Sequence, residues 1–224
     1  MSHEDLDKNV SAELLHLYEL ALSIGKSLDP AETCLNFISI LVPRYSLMGA
    51  TVLWSDDKAT DLQPFASIPK INSAKYIPGH SEKIHQLVST GKPVIIPPGD
   101  PGHDELADIF YGSAMTFGLY PFSGDEIGNS LGVLIMHAAE PAVISVRRLN
   151  SFRPVLNALG KAIQGGLDHQ QLVKSEKELN HQRSFAKTLI KTIPDLVWLK
   201  DPDGVYLACS QRFEDFFGAK EKEI

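Results

Sequence analysis

Apolar residues first recur at three-to-four spacing. Leu14, Leu15, Tyr18, Ala21, Leu22 and Gly25 share one side of a helix predicted from about Ser11 to Ser27. Asp29-Pro30 stops that helix and starts another, with Asp29 as N-cap and Pro30 at the first helical position. Leu35, Ile38 and Leu41 form the inner stripe of this second helix, up to Tyr45. The pattern then suits strands: Ala50 to Trp54, a polar Asp56-Asp57 turn, and Gln63 to Ile68. Helical spacing returns over Ser81 to Thr90 and ends at Gly91. Lys92 to Pro97 reads as a short strand hemmed by prolines, which suits a sheet edge. A loop from Pro98 to Gly102 leads into a short acidic helix, His103 to Phe110.

Two long apolar strands follow, Ala114 to Phe122 and Ser130 to Ala138, joined by a polar turn. In the second, Leu131, Val133 and Ile135 point one way while Leu134 and Met136 point the other, so both faces are apolar. An antiparallel sheet normally leaves one face wet. This one is therefore expected to carry helices on one side and loops or a ligand chamber on the other.

From Ser145 to Thr192 the chain reads as one helix, interrupted only by Pro154 near its start and by Gly165-Gly166. At about 1.5 Å per residue it exceeds roughly 60 Å. Leu156, Leu159, Ile163 and Leu167 make one apolar stripe. Leu172, Leu179, Ala186 and Ile193 make another at seven-residue spacing, and the phase slips near Gln170-Gln171. A parallel coiled coil with a second copy is the expected partner; a single helix packed on its own domain is the alternative.

The last segment holds an apolar run from Leu196 to Leu199, the turn Asp201-Pro202-Asp203-Gly204, and a second run from Val205 to Ala208. A short helix carrying Phe213, Phe216 and Phe217 follows. An isolated hairpin is marginal in water, so Trp198, Tyr206 and these phenylalanines are expected to need partners that the segment cannot supply. On that reading the chain is a fragment of a longer modular protein.

The composition fits an ordinary globular protein: 224 residues, 43% hydrophobic and 22% charged. A net charge of -7 argues against a broad basic surface for nucleic acid or anionic lipid. No run of 18 apolar residues and no secretory pattern is present, so a cytoplasmic location is expected. Cys34 and Cys209 are the only cysteines, which leaves no disulfide framework and no paired-cysteine metal motif.

Enzyme motifs are scarce, with no phosphate loop, nucleophile elbow or paired zinc histidines. Gly124-Asp125-Glu126 echoes part of a diguanylate cyclase hairpin but sits in the turn between two core strands. His80 and His85 are five apart, which does not put two imidazoles on one helical face; either could meet His103 or Asp104, though solvated surface is the favoured reading. His137 alternates with apolar strand residues and is expected to be a satisfied core or rim histidine. No metal site and no cofactor is assigned.

The element order resembles a GAF domain over Leu14 to Leu167. The matching stretches are LHLYELALSIGKSLDPAETCLNFISILVPRY at 15–45, TGKPVIIP at 90–97 and SLGVLIMH at 130–137. The closing segment resembles the start of a PAS domain, with Ser210 standing where that family often has Asn. The resemblances imply an α+β fold: a six-stranded antiparallel sheet between helical layers, a long C-terminal coiled-coil helix, and an incomplete PAS hairpin. The expected domains are a GAF domain at 11–167, an exit helix at 145–193 and a PAS fragment at 189–224.

GAF relatives that reduce free methionine sulfoxide use a set of cysteines, and those that attach bilin use one. Cys34, alone in its module on an apolar helix face, argues against both. The Asn-Lys-Phe-Asp-Glu pattern that accompanies cyclic-nucleotide binding is not visible. A pocket for a small molecule is expected to draw on Trp54, Phe65, Phe110, Tyr111, Phe117 and Tyr120, with His103-Asp104-Glu105 nearby.

The resemblance implies a sensory input module of a bacterial signalling protein, of histidine kinase or diguanylate cyclase type. It is expected to form a parallel homodimer through its N-terminal and exit helices. A ligand-free dimerisation scaffold is the rival, and catalysis within this chain the least favoured reading.

Overall fold

The computed structural model describes residues 3–55, 62–71, 84, 86, 90–110, 114–124 and 131–218, with side chains from Glu13 onward. The chain divides into two compact units, Met1–Asp168 and His169–Ile224.

In the first unit, α1 (His3–Ser23) and α2 (Pro30–Arg44) precede a β-hairpin, β1 (Gly49–Ser55) and β2 (Gln63–Ile68). Next come β3 (Val94–Ile96), α3 (His103–Phe110), β4 (Thr116–Phe122) and β5 (Leu131–Ala138). A 3-10 turn (Pro141–Val143), α4 (Val146–Ser151) and α5 (Arg153–Thr192) complete the order, and α5 continues into the second unit. Local chemistry sets several of these boundaries. Asp29 Oδ1 accepts from the backbone N–H groups of Ala31 and Glu32 at 2.8 and 3.1 Å, capping α2 ahead of Pro30. The helix expected over Ser81 to Thr90 lies mostly outside the described residues; of it, Ile84 and Gln86 are described, both helical.

The described strands form a five-stranded antiparallel sheet in the order β2-β1-β5-β4-β3. A sixth strand, expected from the family resemblance, is not among the described residues. Val94–Ile96 lies at one edge, where its flanking prolines disturb no interior ladder.

Both faces of the sheet are apolar, as the strand alternation requires. One face, with Val52, Trp54, Tyr120, Leu134 and Met136, packs against the helical layer through Leu20, Phe37, Leu41, Leu156 and Leu159. The opposite face, with Leu53, Phe117, Leu119, Val133 and Ile135, packs against α3 through Leu106, Ile109 and Phe110.

Three details differ from the sequence reading. Leu35 is exposed, so the inner stripe of α2 is Cys34, Phe37, Ile38 and Leu41 instead. In α1 the inward residue is Leu20, helped by Leu17 and by Ile24 just past the helix end, while Leu14, Leu15, Tyr18 and Leu22 are exposed. The apolar stripe read from spacing is thus the outward one, because α1 is apolar on two sides. The exit helix is also not continuous from Ser145. Ser145 Oγ caps α4 by accepting from Arg148 N, the chain breaks at Phe152, and α5 restarts at Arg153. Pro154 falls in the first turn of α5, where its missing N–H costs no helical bond.

Glycines let α5 pack closely against the segment after β4 and the α1–α2 turn. A Cβ on Gly160 would meet the backbone of Ser123, and one on Gly166 would stand 2.7 Å from Leu28 O and 2.8 Å from the Pro30 ring. Within this unit Val155, Leu156, Leu159 and Ile163 are buried.

The second unit holds the remainder of α5, a two-stranded hairpin of β6 (Trp198–Lys200) and β7 (Tyr206–Cys209), and α6 (Gln211–Phe217). Asp201 organises the turn: its Oδ1 accepts from Asp203 N at 3.0 Å and Val205 N at 2.9 Å, and Gly204 adopts φ +86°. Phe213 is buried, with Trp198, Tyr206 and Phe217 ring centroids 5.7, 5.8 and 4.5 Å away. Trp198, Leu207, Phe216 and Phe217 remain exposed, as do Leu172, Leu179 and Leu189 on α5.

Candidate functional site

The face of the sheet toward α3 gathers the polar groups that stand out in the core. His137 on β5 pairs directly with Phe117 on β4 and with Gly49 on β1, so its side chain sits mid-sheet. Phe110 comes from the last turn of α3. Ring centroids lie 5.4 Å apart for Phe110 and His137, 6.0 Å for Phe117 and His137, and 5.4 Å for His103 and Phe117.

The two histidines differ in satisfaction. His103 Nε2 donates to Met115 O at 2.8 Å, which places its proton on that nitrogen. His137 is 2% exposed and its Nδ1 has no hydrogen-bond partner. Burial lowers its pKa to about 4, so the ring is neutral at pH 7. His137 is a core histidine as expected, but it is not a satisfied one. Sequence spacing places it on the right face; its missing partner depends on residues distant in sequence.

Elsewhere on this face the described polar groups are paired. Ser67 Oγ donates to Pro69 O at 2.8 Å and lies 2.7 Å from Thr51 Oγ1, so Thr51 donates to Ser67. No Asp, Glu, Lys or Arg is buried among the described residues, and no group of three or more His, Cys, Asp or Glu there could hold a metal ion.

The six candidate wall residues do not share one chamber. Phe110 and Phe117 line the face toward α3, whereas Trp54 and Tyr120 are buried against the helical layer on the other side of the sheet. Phe65 packs at the margin of that second core and lines an open groove of about 580 Å³ between the start of α2 and β2. Tyr111 lies outside the described residues. The pleat separates them: Trp54 and Tyr120 fall on one phase of the strand alternation and Phe117 on the other. Asp104, which was expected near the pocket, is fully exposed.

On the helical side, Tyr45 and Thr116 each bury a hydroxyl without a partner. Tyr45 borders a cavity of about 10 Å³ shared with Met136, Ile144, Arg148 and Phe152, room for one water. Cys34 is fully buried in this layer, and burial raises its thiol pKa to about 12, far from the range of a reactive thiolate.

No family model matches the chain, and no curated protein matches it at a significant level. Solved structures do resemble it. A free methionine-R-sulfoxide reductase from Neisseria meningitidis, in complex with its substrate, superposes with TM-score 0.57 at 15% identity, covering 70% of this chain and 93% of that one. The GAF domain of a phosphoenolpyruvate-protein phosphotransferase from Coxiella burnetii gives TM-score 0.54 at 13% identity, covering 75% and 99%. The fold of the first unit is that of a GAF domain. No described helix is long and apolar enough to cross a membrane.

Proposed function

We propose that the chain is a sensory and regulatory input module of a bacterial signal-transduction protein. Its GAF-fold unit receives a small ligand or a partner, and α5 carries the resulting change to a PAS-type segment. The output so driven is of histidine kinase or cyclic-di-GMP type. One observation carries this reading: α5 spans both units as 40 helical residues, buried at Leu156, Leu159 and Ile163 and exposed at Leu172, Leu179 and Leu189. A helix keyed to the core at one end and apolar but uncovered at the other suits a coupling element between two copies.

The outward residues Leu14, Leu15, Tyr18 and Leu22 of α1 offer a second apolar surface to the same dimer. The buried, high-pKa Cys34 supports a non-catalytic reading despite the fold likeness to the sulfoxide reductase. The rival is a ligand-free dimerisation scaffold, favoured by the close ring packing of Phe110, Phe117 and His137.

Single cysteines at Leu172 and Leu179, in a chain with Cys34 and Cys209 replaced, test the reading. Oxidation is expected to give disulfide-linked dimers at both positions. Failure to form any dimer sinks it. Mass spectrometry of small molecules that copurify separates sensor from scaffold.

A further inference from the structure

We propose that Glu178 on the exposed part of α5 pairs with the partner's Arg183, and Phe185 with the partner's Ile190, so that two copies meet in parallel and in one register, with Leu172 at heptad position a. This rests on the two-copy coupling reading above and names the residues that set the direction and stagger of that contact.

The core layers select the register. With Leu172 at position a, Leu179, Ala186 and Ile193 fall at the same position, and Ser175, Gln182 and Leu189 fall at position d. Leu172, Leu179 and Leu189 are exposed on the single chain. Placing Leu172 at position d instead would bring Glu176 and Arg183 to position a, which buries a charge in each of two layers.

The same layers select the direction. In a parallel pair each layer meets its own copy: leucine faces leucine, and the Gln182 amide, both donor and acceptor, faces the partner's Gln182. The antiparallel alignment that sets Leu172 against the partner's Leu189 sets Leu179 against the partner's Gln182 and Ile193 against the partner's Asp168. Polar groups are then buried beside apolar ones.

The flanks agree with the core. In a parallel pair, position g of one helix lies beside position e of the other, five residues further along. Glu178 thereby meets the partner's Arg183, its opposite charge, and Phe185 meets the partner's Ile190. Phe185 is 60% exposed on the single chain and lies outside the a and d positions, so the two-residue seam alone leaves it uncovered. Antiparallel pairing would put Glu178 beside the partner's Phe185 and draw on Glu176 for the contact with the partner's Arg183.

Two variants of the full chain, Glu178→Arg and Arg183→Glu, test the pairing by sedimentation at low salt. Each alone sets like charges at both flanks and is expected to weaken its own dimer at least about threefold. An equimolar mixture restores both ion pairs, so the mixed dimer should return to within about twofold of the parent's affinity. A mixture that binds no more tightly than the separate variants overturns the assignment, and is the result expected of antiparallel chains.

Disulfide formation reads the direction without altering these charges. Leu172→Cys and Leu189→Cys chains, both with Cys34 and Cys209 replaced, are mixed, allowed to exchange and oxidised. Only like-with-like disulfides are expected. A disulfide between position 172 of one chain and position 189 of the other overturns the parallel register while leaving the two-copy coupling intact. Absence of any disulfide at either position overturns the coupling reading together with the register.

Discussion

Gly49 faces His137 across the β1–β5 ladder, and the imidazole fills the place where a side chain at 49 would begin. The missing Cβ is what lets the ring lie against the neighbouring strand. Gly49→Ala is therefore expected to destabilise the first unit by about 1–3 kcal/mol, the usual cost of overpacking a core. Urea denaturation measures it, and unchanged stability would show that both the ring and the Ile68 carbonyl, which crowds the same place, give way freely.

His137 also makes stability depend on pH. Its folded pKa, about 4, lies below the ordinary 6.5, so the unfolded chain takes up a proton first as pH falls. The contribution is fully present above pH 6.5 and declines between about 6.5 and 4, by up to roughly 3 kcal/mol. His137→Phe should flatten this part of the stability profile; an identical slope in the variant would refute the assignment.

Neighbouring glycines on α5 are expected to respond in opposite ways. Nothing stands within 4 Å of a Cβ on Gly165, so Gly165→Ala should stabilise by about 0.5–1 kcal/mol through helix propensity. Gly166→Ala would press on Leu28 O and the Pro30 ring and should destabilise by about 1–3 kcal/mol. Thermal melts of the two variants decide it, and shifts of the same sign would contradict the packing of α5 on the α1–α2 turn.

In the second unit, Ser210 ties the hairpin together. Its Oγ donates to Asp195 O at 2.8 Å and accepts from Val197 N at 3.1 Å and Phe213 N at 3.3 Å. Ser210 N adds a bond to Val197 O at 2.8 Å. Ser210→Ala should cost about 1–2 kcal/mol, the usual loss for an N-cap, and speed amide exchange at Val197. Exchange no faster than in the parent chain would mean the hydroxyl is dispensable.

Cys34 should resist alkylation by iodoacetamide at pH 8, because its thiol is buried and scarcely ionised there. Mass spectrometry of the native protein follows the reaction. Rapid labelling before unfolding would restore Cys34 as a candidate nucleophile and weaken the non-catalytic reading.

Much of the fold was legible because its signals are local. Asp29-Pro30 announces the start of α2, Asp201 to Gly204 the β6–β7 turn, and His103 to Phe110 the α3 helix, and each follows from residues a few positions apart. The split of Leu134 and Met136 from Val133 and Ile135 likewise foretold a sheet covered on both sides.

The candidate site was legible only in pieces. Trp54, Phe110, Phe117 and Tyr120 all read as buried aromatics. That Phe117 and Tyr120 occupy opposite sheet faces follows from their odd spacing on one strand, but which face looks toward α3 is set by how the helices dock, and that does not follow from local spacing.

The sequence by itself determined the element types, most of their boundaries and the two-faced sheet, because hydrophobic periodicity and capping act over a few residues. Only the tertiary structure decided that Leu20 rather than Leu14 faces inward on α1, that Gly49 makes room for His137, and that Nδ1 of His137 lacks a partner. Those outcomes depend on atoms brought together from distant parts of the chain, where the packing of one element settles what its neighbours bury or leave unsatisfied.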